Sequence, residues 1–409
     1  MKHTTNYHIL IGAFLGLLIG IYTKSFATEI VSSAIIYTAD LLADIFVSAL
    51  KMILVPVIFF SISVGIANLS EHKQSLRIWL LTFLFFFISM ALAIILGMMS
   101  MRFFEPGHGM TLTMFAEQTK DFHTSSLTLP IFFKQFLSSI FVSPLKAMSE
   151  NNILGVITFS ILTGFAIAGS SKEFLRVKII FNDLLGIIMK IVAWIIRFSP
   201  AGIAALIIKL VTQQSPDLFV TLSKFMTVII GMTLFHGIVI LPLLLYFFTK
   251  IDVITLWRGA REAIMTAFAT SSSSATIPVT LRSVEKNLNV KSDIAGFVIP
   301  IGATMNMDGT ALYEASAALF IANLSGIDLQ IGQQLIIFCM AMVSAIGAPG
   351  IPSAGMVTMA MVLQSVGLPI EALAILLPID RLLDTFRTAV NVEGDIVVSL
   401  IVQKFVHKS

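Results

Sequence analysis

Apolar stretches of bilayer length, separated by short polar breaks, run through almost the whole chain, and that pattern leaves few folds open. A helix that crosses a bilayer needs about 20 predominantly apolar residues. Ile9–Tyr22 (with its flanking turns), Ile35–Leu69, Ile78–Phe104, Ile153–Ala168 and Ile179–Val211 are candidates. Leu222–Phe248, Ala295–Leu324, Leu335–Val362 and Leu373–Val402 follow. Charged residues make up 12% of the 409, too few to coat a soluble protein, which carries about 25%. Disorder is excluded from the other side, because it needs low hydrophobicity and high charge. An all-α membrane protein is expected.

Net charge is only +3 and no long basic run occurs, so nucleic acid is not an expected partner. The single cysteine, Cys339, can form neither an intramolecular disulfide nor a thiolate metal cluster. No nucleophile–His–Asp order and no phosphate-binding glycine loop is visible, so the chain does not read as an enzyme.

Positive charge sets the orientation. With a cytoplasmic N-terminus, Lys73, Arg77, Lys172, Arg176, Lys178, Lys250, Arg258 and Arg261 fall inside. So do Arg282, Lys286, Lys291, Lys404 and Lys408, while the loops near Pro216, Gly326 and Gly367 carry no Lys or Arg. This holds only if Ala263–Val279 and Leu335–Val362 do not cross. Each is interrupted near its middle, by Ser271–Ser274 and by Gly347–Gly355. Both are expected to be re-entrant hairpins from opposite sides, an arrangement of inverted repeats found in secondary transporters. Eight spanning helices then remain, with both termini cytoplasmic.

Charged groups inside apolar segments are functional candidates by default, and here they cluster in the last third. One segment holds Asn306, Asp308, Thr310 and Glu314; the final helix holds Asp380, Arg381, Asp384, Arg387, Thr388, Asn391 and Asp395. Positions 380, 384, 387, 391 and 395 share one helix face. The planar fork of Arg387 suits a carboxylate, and Asp384, one turn away, suits an ammonium. Together they fit a zwitterion with an extra acidic group. Thr310, Thr388 and Asn391 add neutral hydrogen-bonding groups. Asp308, Asp395, Asn306 and Asn391 offer the hard oxygens that an alkali or alkaline-earth cation needs. An Asp380–Arg381 pair is as well explained by helix stapling. His236, inside an apolar helix, is expected to be hydrogen-bonded rather than catalytic.

Four motifs in order carry a resemblance. They are Ser271-Ser272-Ser273-Ser274-Ala275-Thr276-Ile277-Pro278 and Asn306-Met307-Asp308-Gly309-Thr310, then Gly347-Ala348-Pro349-Gly350-Ile351-Pro352-Ser353-Ala354-Gly355, and Asp384-Thr385-Phe386-Arg387-Thr388 with Asn391 and Asp395. Over essentially its whole length the chain resembles the dicarboxylate/amino acid:cation symporters, the glutamate transporter family. The resemblance implies uptake of L-glutamate or L-aspartate coupled to cation movement, with sodium favoured because Asp395 is an aspartate. Proton coupling and a mainly anion-channel role are the alternatives. It assigns the substrate side-chain carboxylate to Arg387, the amino group to Asp384 and the α-carboxylate to Ser273 and Asn391. Thr310 and Thr388 complete the pocket, and the backbone near Ile351 and Gly355 closes over it.

The resemblance also implies two or three transported sodium ions. One site would use Gly302, Asn306, Asn391 and Asp395. A second would use backbone carbonyls near Thr304, Ala345, Ile346 and Ala348, with Met307 beside them. A third would use Asn306 and Asp308 with the third helix, where Phe86, Ser89 and Met90 stand in place of the usual Tyr, Thr and Ser. Glu314 is a proton-carrier candidate. Neither position that holds the tip arginine in relatives, Ser271 or Thr385 here, is basic, and Arg381 is the candidate replacement.

The expected organisation follows from the same resemblance. Residues 1–75 form scaffold helices 1 and 2, 76–106 helix 3 of the transport domain, and 107–220 scaffold helices 4 and 5 with an extracellular loop. Residues 221–409 form the transport core: helix 6, a first hairpin at 258–284, helix 7 at 292–324, a second hairpin at 333–364 and helix 8 at 368–403. A homotrimer in the cell inner membrane, bathed by lipid and working as an elevator, is implied.

Overall fold

The computed structural model describes residues 2–68, 76–108, 141–150, 152–169, 173–213, 217–347 and 354–406. Among them the secondary structure is helical, with no strand. Four long or medium helices pack on one another: α1 (Lys2–Ser25), α2 (Glu29–Asn68), α5 (Ile153–Gly169) and α6 (Leu175–Gln213). Between them in sequence come α3 (Leu76–Phe104) and the short α4 (Pro144–Ser149).

The second packing group joins α3 to the C-terminal half. It contains α7 (Asp217–Phe235), α8 (Leu241–Thr249), α9 (Val253–Thr270), α10 (Ser273–Arg282), α11 (Ser292–Met305) and α12 (Asp308–Leu324). Then follow α13 (Ile331–Gly347), α14 (Ala354–Ser365) and α15 (Leu373–Val406). The last of these is the axis of the group, touching α9, α11, α12, α8, α3 and α7. The two groups meet chiefly where α13, α14 and α15 reach α2, α5 and α6.

Arg77–Phe104 and Asp217–Thr249 are long and apolar enough to cross a membrane as single helices, and Leu175–Ile195 with Pro200–Lys209, bent by 51°, would be a third span. Their exposed surfaces are apolar, including Leu80, Leu84, Phe87, Phe235 and Leu243. In water such a surface would drive association; facing lipid it needs no cover.

Three local departures from regular helix position the site. The serine run does break its segment. Asp252 caps α9 by accepting from the Thr255 N–H at 2.9 Å and its hydroxyl at 2.6 Å. Those hydrogen bonds hold its carboxylate below the usual range. The helix ends at Ser271, which is left-handed at φ 48°, and the Ser272 hydroxyl accepts from Ala275 N–H to start α10. A helix–turn–helix results, its arms packed together. It starts at Val253, about a turn before the expected 258.

The segment expected as helix 7, at 292–324, consists of two helices with a break between them. Asn306 (φ −116°, ψ 88°) and Met307 (φ −119°, ψ 64°) leave helical geometry between α11 and α12. The first turn of α12 is satisfied from far away, where Asn391 Oδ1 accepts from the Gly309 N–H at 2.8 Å. The polar Asn306 and Asp308 mark the place in the sequence.

The segment 222–248 contains one turn of π-helix, His236–Ile240. The Leu241 N–H reaches back to the His236 carbonyl. Pro242 follows in the first turn of α8 and lacks the N–H that would continue a regular ladder, which accounts for the wide turn.

Candidate functional site

Arg387 is the largest fully buried side chain among the described residues, at 0% exposure. Burying a guanidinium is costly unless charge and hydrogen bonds compensate it. Its Nη2 donates to Asp380 Oδ1 at 2.8 Å and to Asp384 Oδ1 at 2.9 Å, and its face lies 4.1 Å from the centre of the Tyr313 ring. Arg381 Nη1 donates to Asp384 Oδ2 at 3.3 Å. The simple Asp380–Arg381 staple is thus replaced by crossed pairs: Asp380 with Arg387, and Asp384 shared between both arginines. The reason is geometric, since neighbours on a helix point about 100° apart while residues three or seven apart align.

Nε and Nη1 of Arg387 are buried and have no hydrogen-bond partner among the described residues. These unused N–H groups, on a buried cation, leave donors that an acidic ligand can take up. Gly355 approaches the same place, since a Cβ there would stand 3.3 Å from the Thr310 methyl and 3.5 Å from Arg387 Nη1. Asn391 Nδ2 donates to Thr310 Oγ1 at 3.3 Å, which ties Thr310 to the same helix. Thr388 and Ser273 are buried, the latter opening α10, which packs on α15. Ile351, expected to close the pocket, lies outside the described residues.

Around the α11–α12 break the oxygens gather. Asn306 Nδ2 donates to Asp395 Oδ1 at 3.0 Å. Gly302 packs directly on the Asp395 carboxylate, where a Cβ would collide, so only glycine fits. Asn306 Oδ1 and Asp308 Oδ1 are buried without a hydrogen-bond partner among the described residues. Thr304 is on α11, which packs on the α13 helix of Ala345 and Ile346; Met307 is in the break itself. Ala348 lies outside the described residues. No group of three or more His, Cys, Asp or Glu is placed to hold a metal ion among the described residues. The donor set is one of mixed carboxylate, amide and backbone oxygens, which suits a singly charged hard cation better than zinc.

Ser89 donates its hydroxyl to Asp308 Oδ2, while Phe86 and Met90 are buried as apolar packing. His236 Nε2 lies 3.2 Å from the same Asp308 oxygen. That contact joins residues 72 apart, and the π turn starts at this histidine. The partner of His236 could not be read from sequence; only its unusual place in an apolar helix signalled it.

Glu314 is fully buried and accepts hydrogen bonds from Ser344 on α13 and Thr358 on α14. One carboxyl therefore ties both α13 and α14 to α12. Neither hydroxyl stood out in the sequence, because single Ser and Thr residues are common in apolar helices.

The profile of the sodium:dicarboxylate symporter family matches residues 6–405. A putative sodium-dependent excitatory amino acid transporter of Caenorhabditis elegans is 32% identical over 88% of this chain and 81% of its own length. Excitatory amino acid transporter 3 of Homo sapiens is 34% identical over 89% of this chain and 79% of its own. Excitatory amino acid transporter 2 of Mus musculus is 43% identical over a shorter stretch, 60% of this chain and 43% of its own.

Proposed function

This chain belongs to the sodium:dicarboxylate symporter family, and on that premise we propose that it takes up L-glutamate or L-aspartate together with sodium. It is a transporter and not an enzyme, as its relatives are. The buried Arg387, with two unused donors beside Asp384, is the observation that carries the substrate reading. The guanidinium binds the side-chain carboxylate. Asp384 receives the amino group, and Ser273, Thr310, Thr388 and Asn391 hold the α-carboxylate end. Gly355 and Ile351 close the second hairpin over it.

Sodium binds around Gly302, Asn306, Asn391 and Asp395, and at backbone carbonyls near Thr304, Met307, Ala345, Ile346 and Ala348. A third site at Asn306, Asp308 and Ser89 is altered here, because His236 shares the Asp308 carboxylate. The division into two packing groups supports a scaffold of α1, α2, α5 and α6 and a moving domain of α3 and α7–α15. Eight helices cross, two hairpins re-enter, and three copies assemble through the scaffold in the cell inner membrane. Closure of the second hairpin in the presence of both substrate and ions couples their movement.

A specific observation favours a proton component. Glu314 fastens α12 to both arms of the second hairpin, so its proton and the gate's closure are mechanically linked.

Uptake of labelled L-aspartate and L-glutamate into proteoliposomes tests the proposal. Accumulation is expected under an inward sodium gradient; uptake indifferent to sodium and to pH gradients would sink it. Accumulation under a proton gradient alone would shift the coupling ion to the proton. Arg381→Ala is expected to raise the half-saturating aspartate concentration about tenfold, the value of one charge-assisted hydrogen bond to Asp384. Unchanged affinity and turnover would remove Arg381 as the substitute for the tip arginine.

A further inference from the structure

Glu393 belongs to neither the substrate nor the cation sites, yet it is a carboxyl only 5% exposed in a membrane-embedded helix. Such groups are expensive and need a reason. One oxygen accepts from the Trp257 indole N–H at 3.1 Å. The other lies against Gly237 and takes no hydrogen bond among the described residues. Both residues line a cavity of about 330 Å³ between α9, α15 and the end of α7 with its π turn. The walls beyond them are apolar, with Met265, Phe268, Ile238 and Phe386. Arg261, exposed on α9, lines the same cavity and makes no ion pair with Glu393 among the described residues.

Arg261 follows Trp257 by one helical turn, about 6 Å along α9. The crevice therefore presents a carboxylate at one level, a guanidinium one turn further along α9, and aromatic and aliphatic walls beyond. We propose that it binds an amino-phospholipid of the surrounding bilayer. The primary ammonium sits on Glu393, the phosphate on Arg261, and an acyl chain runs along Phe268 and Phe386. The order of groups matches a lipid leaflet in which the amine lies outside the phosphate and the chains inside. It rests on α9 entering the membrane from its Val253 end, as in the proposed topology. A choline head group has no N–H to give Glu393, and a glycerol head group has no cation. The crevice thus discriminates among head groups by charge and donor count.

The chain has three tryptophans, so Trp79→Phe with Trp194→Phe leaves Trp257 as the sole reporter inside the crevice. This variant is reconstituted in phosphatidylcholine vesicles holding equal fractions of brominated phosphatidylethanolamine, phosphatidylcholine or phosphatidylglycerol. Quenching is expected to give about fivefold higher apparent affinity for the ethanolamine lipid, which corresponds to about 1 kcal/mol for one interfacial charge contact. Glu393→Gln keeps an acceptor for the indole, and Arg261→Gln changes an exposed position; each is expected to erase that preference. Equal quenching by all three lipids, or a preference that survives both substitutions, overturns the proposal. Absence of quenching by any lipid overturns it too, by showing that the crevice does not face the bilayer. Aspartate uptake in the same vesicles reports separately on the transport reading.

Discussion

Arg387→Ala is expected to abolish uptake of L-aspartate and L-glutamate, with apparent affinity falling at least about 100-fold. The side chain offers an acidic substrate a buried cation with unpartnered N–H donors at Nε and Nη1, and it is the fully buried guanidinium at the pocket, against 9% exposure for Arg381. A second effect accompanies the first. Asp380 and Asp384 both lean on Nη2 of Arg387, at 2.8 and 2.9 Å. Removing the cation leaves two buried carboxylates with only Arg381 beside them, and breaking a buried pair costs about 3–5 kcal/mol. Stability must therefore be read alongside uptake. Arg387→Lys separates the two, because it keeps a positive charge between the aspartates while losing the fork. It is expected to melt closer to the native protein than the alanine variant does, and still to transport acidic substrates poorly. Native uptake in either variant would falsify the side-chain role.

The second large effect is expected at Asp395. Asn is nearly the same size and keeps an oxygen that accepts from Asn306 Nδ2, now 3.0 Å away. Asp395→Asn should therefore fold, while the negative charge facing the α11–α12 break is gone. The half-saturating sodium concentration for aspartate uptake is expected to rise about 10- to 100-fold, the worth of a hydrogen-bonded charge contact. Measuring aspartate uptake across a sodium titration decides it. A curve that overlays the native one removes Asp395 from the cation site.

Much of the architecture was legible because membrane physics is severe. Apolar runs announce helices, and the serine run at Ser271–Ser274 announced a turn that the left-handed Ser271 bears out. The polar face of the last helix was legible too, since Asp380, Asp384, Arg387, Asn391 and Asp395 are all buried together. Pairing within that face was not. Which aspartate an arginine grips depends on rotamers, and Arg387 lies against Tyr313, a residue of another helix. The capping partner of the break at Asn306-Met307 was hidden because it, Asn391, comes 82 residues after Gly309. His236 and Ser89 converge on Asp308 from helices 72 and 219 residues distant. Such contacts exist only after the helices have packed, so no local pattern encodes them. Glu393 escaped for the opposite reason: its neighbour Asp395 offered a ready explanation for acidity in that stretch.

The π turn at His236–Ile240 has a consequence for how this helix can change length. A π turn holds one residue more than a regular turn does. Deleting a single residue between Gly237 and Ile240 would let the helix relax to regular winding and leave both flanks in their present alignment, apart from the lost turn geometry. Deleting one residue from the regular stretch of α7 instead would swing everything beyond it by about 100°, carrying His236 away from Asp308. Indel tolerance along this helix should thus be confined to one short window, and that window lies next to the histidine it serves to aim.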